Sequence, residues 1–194
     1  SDELWHYPVV QHLAQGKGLP VQDPAQAQLY RQEGSQPPLY YLLGAALTWW
    51  VDTSDLDEVR RLNPHADIGI LTEDGNVNMT VHSAHEAFPY RGTTLAVHIV
   101  RWFSVLLGAV TVALSAKIAR AVAPGVRGIG VLAAALVAFN PMFLFISGSI
   151  NNDNLVVTLC TLALWLILRL DQRALNAKRC IGVGVVIGLA VLTK

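Results

Sequence analysis

The chain has 194 residues and no net charge at neutral pH, but 53% of its residues are hydrophobic and only 14% are charged. A soluble domain typically has about 25% charged residues, so this composition excludes an ordinary soluble domain and indicates an integral membrane protein. The charges are unevenly distributed: residues 1–93 carry 12 acids and 5 bases, whereas residues 94–194 carry 2 acids and 9 bases. The sequence therefore predicts a polar, acidic head followed by an apolar, basic body.

The acidic pair Asp2-Glu3 opens a segment predicted to form a helix at the membrane surface, over about residues 2–14. A partial apolar stripe supports this helix, and it consists of Leu4, Trp5, Val9 and Leu13. Pro8 is expected to kink the helix or to delay its start. Adjacent carboxylates at a membrane surface can supply a general base or hold a divalent metal. The alternative is a solvated helix start, where acids favour the positive end of the helix dipole.

A second surface helix is predicted over about residues 37–51, where an apolar run follows two prolines. Residues 38–51 would reach only about 21 Å at 1.5 Å per residue, which is less than the ~30 Å hydrocarbon layer. The run ends in Trp49 and Trp50, a residue type that is typical of the membrane interface. A short spanning helix is the alternative, and it would place residues 1–36 on the cytoplasmic side.

Four membrane spans are predicted after this head, over about residues 95–122, 128–147, 154–170 and a truncated 181–194. The loops around Pro124 and Gln172 are rich in lysine and arginine, which favours the cytoplasmic side. The loop at residues 151–154 has no base and is therefore predicted to be extracytoplasmic. By the same alternation, residues 1–93 form an extracytoplasmic loop with two juxtamembrane helices. The predicted fold class is an all-α integral membrane helix bundle with about four transmembrane helices.

Polar residues of the second outer loop are candidates for a substrate cleft. Asn151, Asn152 and Asp153 either cap the following helix or line a polar cleft close to Asp2 and Gln36, if the surface helices fold over the bundle. No acid lies between residues 95 and 147, and a transporter would be expected to carry acids near the middle of the membrane.

The first predicted span carries one cation near its outer end, Arg101. This side chain either snorkels to the lipid headgroups or binds a lipid phosphate, for which the forked guanidinium is well suited. Further along, Asn140-Pro141 is predicted to kink the second span, which would let a polar cleft narrow into the bilayer.

Five stretches occur in an informative order: DELWHY, QPPLYYLLGA, AVHIVRWFSVLLGAVTV, NPMFLFISGSINNDNLV and GLAVLTK. Their order and spacing resemble the N-terminal part of membrane glycosyltransferases of the GT-C fold. The resemblance is to bacterial members similar to protein O-mannosyltransferases and lipid A aminoarabinose transferases, and it covers essentially the whole chain. Since the chain starts at Ser1 and ends inside an apolar segment, we expect it to be an N-terminal fragment of a longer protein.

The resemblance implies a multi-pass glycosyltransferase of the cytoplasmic (inner) membrane, of the hexosyl- or pentosyltransferase type. Such an enzyme takes a sugar from a polyprenyl-phosphate carrier and transfers it, with inversion, to an acceptor on the extracytoplasmic side. By match of position, Asp2 is the implied catalytic base, Glu3 is its neighbour, and Asp153 resembles the acid of the second outer loop.

The sequence departs from the family pattern just before the two prolines. Ser35 and Gln36 stand where some relatives have a Glu-Lys pair, so the cation expected at the carrier phosphate is missing. Arg101 or a residue beyond Lys194 is the candidate replacement. Residues 52–93 are an insertion relative to the aminoarabinose transferases and are expected to shape the acceptor or sugar site. His6 and His82 are further candidates for the substrate cleft.

The expected partners are a polyprenyl-phosphate sugar donor and membrane lipids, with the acceptor and the sugar left open and with no nucleic acid. No cofactor is certain, and a divalent metal is one option. Two other functions stay open as alternatives: a lipid or solute transporter, and a non-catalytic membrane scaffold or sugar-binding relative. Inverted repeats would favour the transporter.

Overall fold

A computed structural model describes residues 2–23, 25, 28–66, 78–171 and 177–194. Within these residues the chain is helical, and extended segments pair only at an isolated antiparallel bridge between Leu62 and Thr80. Gln172, at the centre of a loop predicted to be cytoplasmic, lies outside the described residues. The all-α class predicted from the sequence is confirmed for the described part of the chain.

The helices follow one another in chain order with short connections. They are α1 Glu3–Ala14, α2 Leu39–Thr48, α3 Leu56–Val59, α4 Gly92–Val122, α5 Ile129–Ala138, α6 Pro141–Ser147, α7 Asp153–Asp171 and α8 Ala177–Val191, with 3₁₀ helices at Arg31–Ser35 and Ala84–Glu86.

Helix α1 begins at Glu3 although it contains Pro8, so the proline does not delay its start. Proline has no backbone N–H and therefore leaves the carbonyl four residues earlier without its helical partner. That carbonyl belongs to Leu4, and it accepts a hydrogen bond of 3.0 Å from Nε of Arg60. The side chain of Arg60 thus satisfies the carbonyl that Pro8 leaves without a helical partner. It also attaches the residues that follow α3 to α1.

The start of α4 is fixed by a carboxylate from the preceding short helix. Asp55 Oδ1 accepts the backbone N–H of Thr93 at 2.8 Å, which satisfies one of the free N–H groups at a helix N-terminus. Gly92 has a φ of 52°, and a Cβ there would lie 2.2 Å from Oδ2 of Asp55. Only glycine therefore fits both the backbone conformation and the space beside the capping carboxylate.

Two helices among the described residues are long and apolar enough to cross a membrane, Gly92–Val122 and Asp153–Leu170. Helices α5 and α6 qualify together but are bent by 66° at their junction, which makes them one broken span or a re-entrant loop. Asn140 caps α6 by accepting from the N–H groups of Met142 and Phe143, so the kink predicted at Asn140-Pro141 is present. The described part of the chain thus has two to three candidate spans, against the four that were predicted.

Two further apolar helices are short. Helix α8 has 15 residues, and α2 has 10, which corresponds to about 15 Å for α2 at 1.5 Å per residue. Trp49 and Trp50 follow α2 and are both more than half exposed. These dimensions favour a surface position for α2 over a spanning one.

Helix α4 is the centre of the bundle and packs against α5, α6 and α7, while α8 packs on α7 and α1 packs on α2. Close contact between spans relies on small residues, since a Cβ on Gly108 would lie 2.8 Å from Oγ of Ser147. The buried core lies at one end of the bundle, where α1 and α2 meet the first turns of α4 and α7. It includes Tyr7, Val10, Tyr40, Tyr41, Val100, Ile150 and Leu155.

Candidate active site

The first turn of α1 is held in place by a forked ion pair between Glu3 and Arg101. Nε of Arg101 donates to Oε1 of Glu3 at 2.8 Å, and a terminal guanidinium nitrogen donates to Oε2 at 2.6 Å. The N–H of Ile150 also donates to Glu3 Oε1, at 3.1 Å. Glu3 therefore joins α1 to α4 and to the loop before α7. The structure places Arg101 on this carboxylate, whereas the sequence suggested a lipid headgroup or a carrier phosphate.

Asp2 lies immediately before α1 and is exposed. Its backbone carbonyl accepts from the N–H groups of Trp5 and His6, but its side chain makes no capping hydrogen bond. Because the carboxylate is not used to cap the helix, it can accept a proton from a ligand. The forked ion pair between Glu3 and Arg101, one residue along the chain, fixes the position of Asp2.

Near Asp2 lie two bonded sets of polar side chains that we together call the polar network. His6, Glu33, Gln36 and Asn152 form one set, and Asp153 with Lys194 forms the other. Asn152 is 1% exposed, and its amide donates to Oε1 of Gln36 at 2.6 Å and to the carbonyl of Thr193 at 3.0 Å. Gln36 in turn donates to Oε2 of Glu33 at 2.6 Å. These bonds join the 3₁₀ helix before α2, the loop before α7 and the residues after α8.

The buried acid of the network, Glu33, was not singled out from the sequence. It is 5% exposed and lies 3.8 Å from Nδ1 of His6, which also shares a 2.6 Å hydrogen bond with the hydroxyl of Tyr41. Burial lowers the pKa of His6 below its ordinary value of 6.5, and the nearby carboxylates, Glu33 first, offset part of this shift. His6 is thus a buried network member and does not line an open cleft.

The network also contains a cation, Lys194, that was not predicted from the sequence as a site residue. Nζ of Lys194 forms an ion pair with Oδ1 of Asp153, and both side chains are partly exposed, at 50% and 37%. Asp153 is held from the other side, because its backbone N–H donates to Oδ1 of Asn151 at 2.8 Å. Lys194 is therefore a cation beside Asp153, whereas Arg101, the cation that the sequence analysis named for the carrier phosphate, lies on Glu3.

Other polar residues around the site have local roles. The hydroxyl of Ser35 donates to the carbonyl of Gln32 at 2.8 Å and is exposed, outside the network. Asn151, like Asn152, is buried and bonded to protein groups, so these two predicted cleft residues build the frame of the site and do not line the cavity described next. Asn154 donates to the carbonyl of Ile146 in α6 and to those of Ser149 and Asn151 in the loop before α7.

On the other side of the first turn of α1 is an open cavity of about 300 Å³, which we call the Glu3 cavity. It is bounded by α1, α3, residues 78–86 and the first turns of α4. Glu3, Arg101 and the predicted cleft residue His82 line it, together with Arg60, Glu86, Thr94 and His98. Of the predicted site residues, the structure therefore brings Glu3, Arg101 and His82 to one cavity, and His6, Gln36, Asn152 and Asp153 to the network.

Among the described residues, no group of three or more histidine, cysteine, aspartate or glutamate side chains is placed to hold a metal ion. The carboxylates at the site instead have nitrogen partners: Glu3 with Arg101, Asp153 with Lys194, and Glu33 with Gln36.

The sequence of the helical bundle identifies the family of the chain. The sequence model described as dolichyl-phosphate-mannose-protein mannosyltransferase matches residues 96–194, just over half of the chain. The chain belongs to this mannosyltransferase family. No curated protein and no solved structure matches the chain.

Membership in the mannosyltransferase family confirms the membrane glycosyltransferase family suggested by the five stretches. The matched region begins inside α4 and contains Arg101, the loop at residues 151–153 and Lys194. It excludes Asp2, Glu3 and the segment 78–86. The predicted catalytic pair and one wall of the Glu3 cavity therefore rest on geometry and on the resemblance, not on the family match.

Proposed function

We propose that the full-length protein transfers a hexose, with mannose as the first candidate, from a polyprenyl-phosphate carrier to an acceptor hydroxyl on the extracytoplasmic side of the membrane. The reaction proceeds with inversion at the anomeric carbon. Membership in the mannosyltransferase family supports the donor class. One observation carries the mechanism: the uncapped, exposed carboxylate of Asp2 stands on a helix start that Glu3, Arg101 and Ile150 hold in place.

In this mechanism Asp2 is the general base. The acceptor oxygen bonds to the anomeric carbon, the bond from that carbon to the phosphate oxygen breaks, and the electron pair leaves with the polyprenyl phosphate. The hydroxyl proton passes to the Asp2 carboxylate. Glu3 is less suited to this role, because both of its oxygens already accept hydrogen bonds from Arg101.

We assign the carrier phosphate to Lys194. Leaving-group charge needs a cation on the side opposite the base, and Lys194 is half exposed and lies just beyond the apolar helix α8. A phosphate there lets the polyprenyl chain stay among the exposed apolar side chains of the bundle. Arg101 is a positioning residue in this scheme, since its guanidinium is engaged by Glu3.

The donor class is tested with the full-length protein in proteoliposomes. Radiolabelled mannose is supplied either on a polyprenyl phosphate or on GDP, and its transfer to endogenous hydroxyl-bearing acceptors is followed. We expect transfer only from the lipid-linked donor, and Lys194→Ala should raise the KM for that donor by about tenfold or more, while Lys17→Ala, in an exposed loop, should not. Transfer from GDP-mannose, or no transfer of any sugar, would contradict the proposal.

The sidedness is tested in a background in which Cys160 and Cys180 are replaced. A cysteine at Ser54, which is exposed after α2, should react with an impermeant thiol reagent in intact cells, whereas one at Gly125, in the basic loop after α4, should react only after permeabilisation. The reason is the bias of lysine and arginine towards cytoplasmic loops. The reverse labelling pattern would move the site to the cytoplasm.

A further inference from the structure

The Glu3 cavity is suited to a small ligand. Its volume of about 300 Å³ is at the lower end of the range for small-molecule sites. A ligand of one or two rings fits this volume, and a macromolecule could enter it only with one side chain or one end group. The cavity adjoins the helix start that carries Asp2, but it is separate from Lys194 and the rest of the polar network.

The charges that line the cavity are already compensated by the protein. Glu3 is paired with Arg101, and Glu86 with His82 at 2.7 Å. The remaining described cation, Arg60, donates to the carbonyls of Leu4 and Leu29. The two carboxylates of the described lining, Glu3 and Glu86, are thus balanced in number by the two guanidinium groups of Arg60 and Arg101. Because the described lining carries no net charge when its histidines are neutral, an uncharged ligand is favoured.

The two histidines of the cavity present hydrogen-bond acceptors. Nδ1 of His82 faces a carboxylate, and Nδ1 of His98 faces the carbonyl of Thr94 at 2.8 Å. Both partners only accept, so each Nδ1 carries the hydrogen, and in a neutral imidazole Nε2 is then an acceptor. Tyr90 stacks on His98 at 3.8 Å and keeps its ring in place. With the carboxylate of Glu86, these histidines make the cavity rich in acceptors, which calls for a ligand rich in donors.

The opposite wall of the cavity is apolar and is formed by Pro8, Leu56, Val59 and Val97. A ligand that fits needs an apolar face and a rim of hydroxyl groups, which describes a pyranose ring. We propose that the Glu3 cavity binds the glycosyl acceptor and that this acceptor presents an uncharged saccharide unit. The inference rests on the proposed transfer reaction, and it adds the acceptor class and two specificity-determining residues, His82 and His98.

The reaction then places the two substrates on opposite sides of one helix start. A saccharide hydroxyl at the Glu3 end of the cavity lies next to Asp2, because consecutive Cα atoms are about 3.8 Å apart. This hydroxyl loses its proton to Asp2 while its oxygen bonds to the anomeric carbon of the donor. The polyprenyl phosphate leaves on the side of Lys194.

The test uses the full-length protein in lipid nanodiscs, free of sugar-based detergent, with methyl α-mannoside as the probe in saturation-transfer NMR. We expect saturable binding that weakens about fivefold in His82→Ala, the usual effect of losing one hydrogen bond, and comparably in His98→Phe, which keeps a ring against Tyr90. His85→Ala is the matched control. His85 is exposed in the 3₁₀ helix Ala84–Glu86, close to His82 in the chain, and it does not line the cavity. Binding should therefore be unchanged.

Absence of saturable mannoside binding to the wild-type protein overturns the inference. So does mannoside binding by His82→Ala or His98→Phe that is as tight as that of the wild-type protein. Displacement of the mannoside by a low concentration of an uncharged peptide containing serine and threonine also overturns it. His82 is mostly exposed, so its replacement does not endanger the fold, and thermal unfolding of each variant verifies this.

A parallel transfer assay with polyprenyl-phosphate mannose separates this inference from the proposed function. Binding that depends on His82 without any transfer to methyl α-mannoside or another acceptor supports the saccharide site and contradicts the transfer reaction. Transfer to a peptide without mannoside binding supports the transfer reaction and overturns the saccharide inference.

Discussion

The polar network and the Glu3 cavity lie on two sides of the same helix start, yet their polar groups are used differently. In the network, buried side chains bond to one another, so that Asn152, Gln36 and Glu33 form a continuous chain. In the cavity, charged groups from α1, the loop after α3, residues 78–86 and α4 line an open space. We therefore interpret the network as a rigid frame beside Asp2, with Lys194 at its exposed edge, and the cavity as the place where the proposed ligand binds.

The largest expected loss of stability comes from replacing Asn152, the central residue of the polar network. Asn152→Leu leaves the buried oxygen of Gln36 and the carbonyl of Thr193 without their donor, and each unsatisfied group costs about 1–3 kcal/mol. We expect a loss of about 3 kcal/mol in the free energy of unfolding, measured by denaturant titration of the purified protein. Gln32→Leu, which replaces an exposed amide in the neighbouring 3₁₀ helix, is the control. Equal stability of the two variants would mean that the network does not hold the site.

Breaking the ion pair between Glu3 and Arg101 should have the next largest effect on stability. In a double-mutant cycle with Glu3→Gln and Arg101→Met, we expect a coupling energy of about 1.5–3 kcal/mol, because the pair makes two charge-assisted hydrogen bonds. Arg101→Lys should recover only part of it, since lysine cannot reproduce the fork. Additive single effects would show that Arg101 is free for another partner, such as the carrier phosphate.

A smaller loss of stability is expected from a change at Gly92, where helix α4 begins. Gly92→Ala requires an L-residue at a φ of 52° and displaces the capping carboxylate of Asp55, at a cost of about 1–2 kcal/mol for the backbone conformation. Gly125→Ala is the matched control, because a Cβ there meets no atom within 4 Å and its φ is not positive. Thermal unfolding of both variants measures the difference, and similar midpoints would show that the start of α4 is not constrained as described.

The smallest predicted effect is a pH dependence of the network. Because the pKa of buried His6 is below 6.5 in the folded protein, the unfolded chain binds more protons between the two values, and stability falls as the pH drops through 6.5. His6→Asn should flatten this fall in the unfolding midpoint between pH 7.5 and 5.5. His12, whose pKa burial also lowers, is less buried, so His12→Asn should flatten it less. An unchanged slope in His6→Asn would exclude His6 as the titrating group.

Composition, periodicity and turn residues were sufficient to predict helices at the positions of α1 and α2, the kink at Asn140-Pro141 and the long helix α4, since these depend on local sequence. The resemblance also drew attention to Asp2, Glu3 and Arg101. It did not reveal that Glu3 and Arg101 bind each other, because a guanidinium near a membrane surface has several possible partners and a sequence does not choose among them.

The network and the cavity depend on contacts between distant parts of the chain. Asn152 and Gln36 are 116 residues apart, and Glu33 is one acid among many in an acidic head. The segment 78–86 has no helical or strand periodicity that would predict it as a cavity wall. His82 was named as a cleft candidate, but its partner Glu86 and the fixed ring of His98 follow only from the three-dimensional arrangement.

The central claim is that Asp2 is the base on the frame that Glu3 maintains, and single-turnover transfer by the full-length Asp2→Asn protein tests it most directly. Asparagine keeps the size of the side chain but cannot take a proton. We expect the rate from saturating polyprenyl-phosphate mannose to fall by about 10²–10⁴, with donor binding and unfolding midpoint unchanged. Asp52→Asn is the control, because Asp52 is exposed and asparagine can retain its hydrogen bond from the N–H of Ser54. A fully active Asp2→Asn protein would contradict the account.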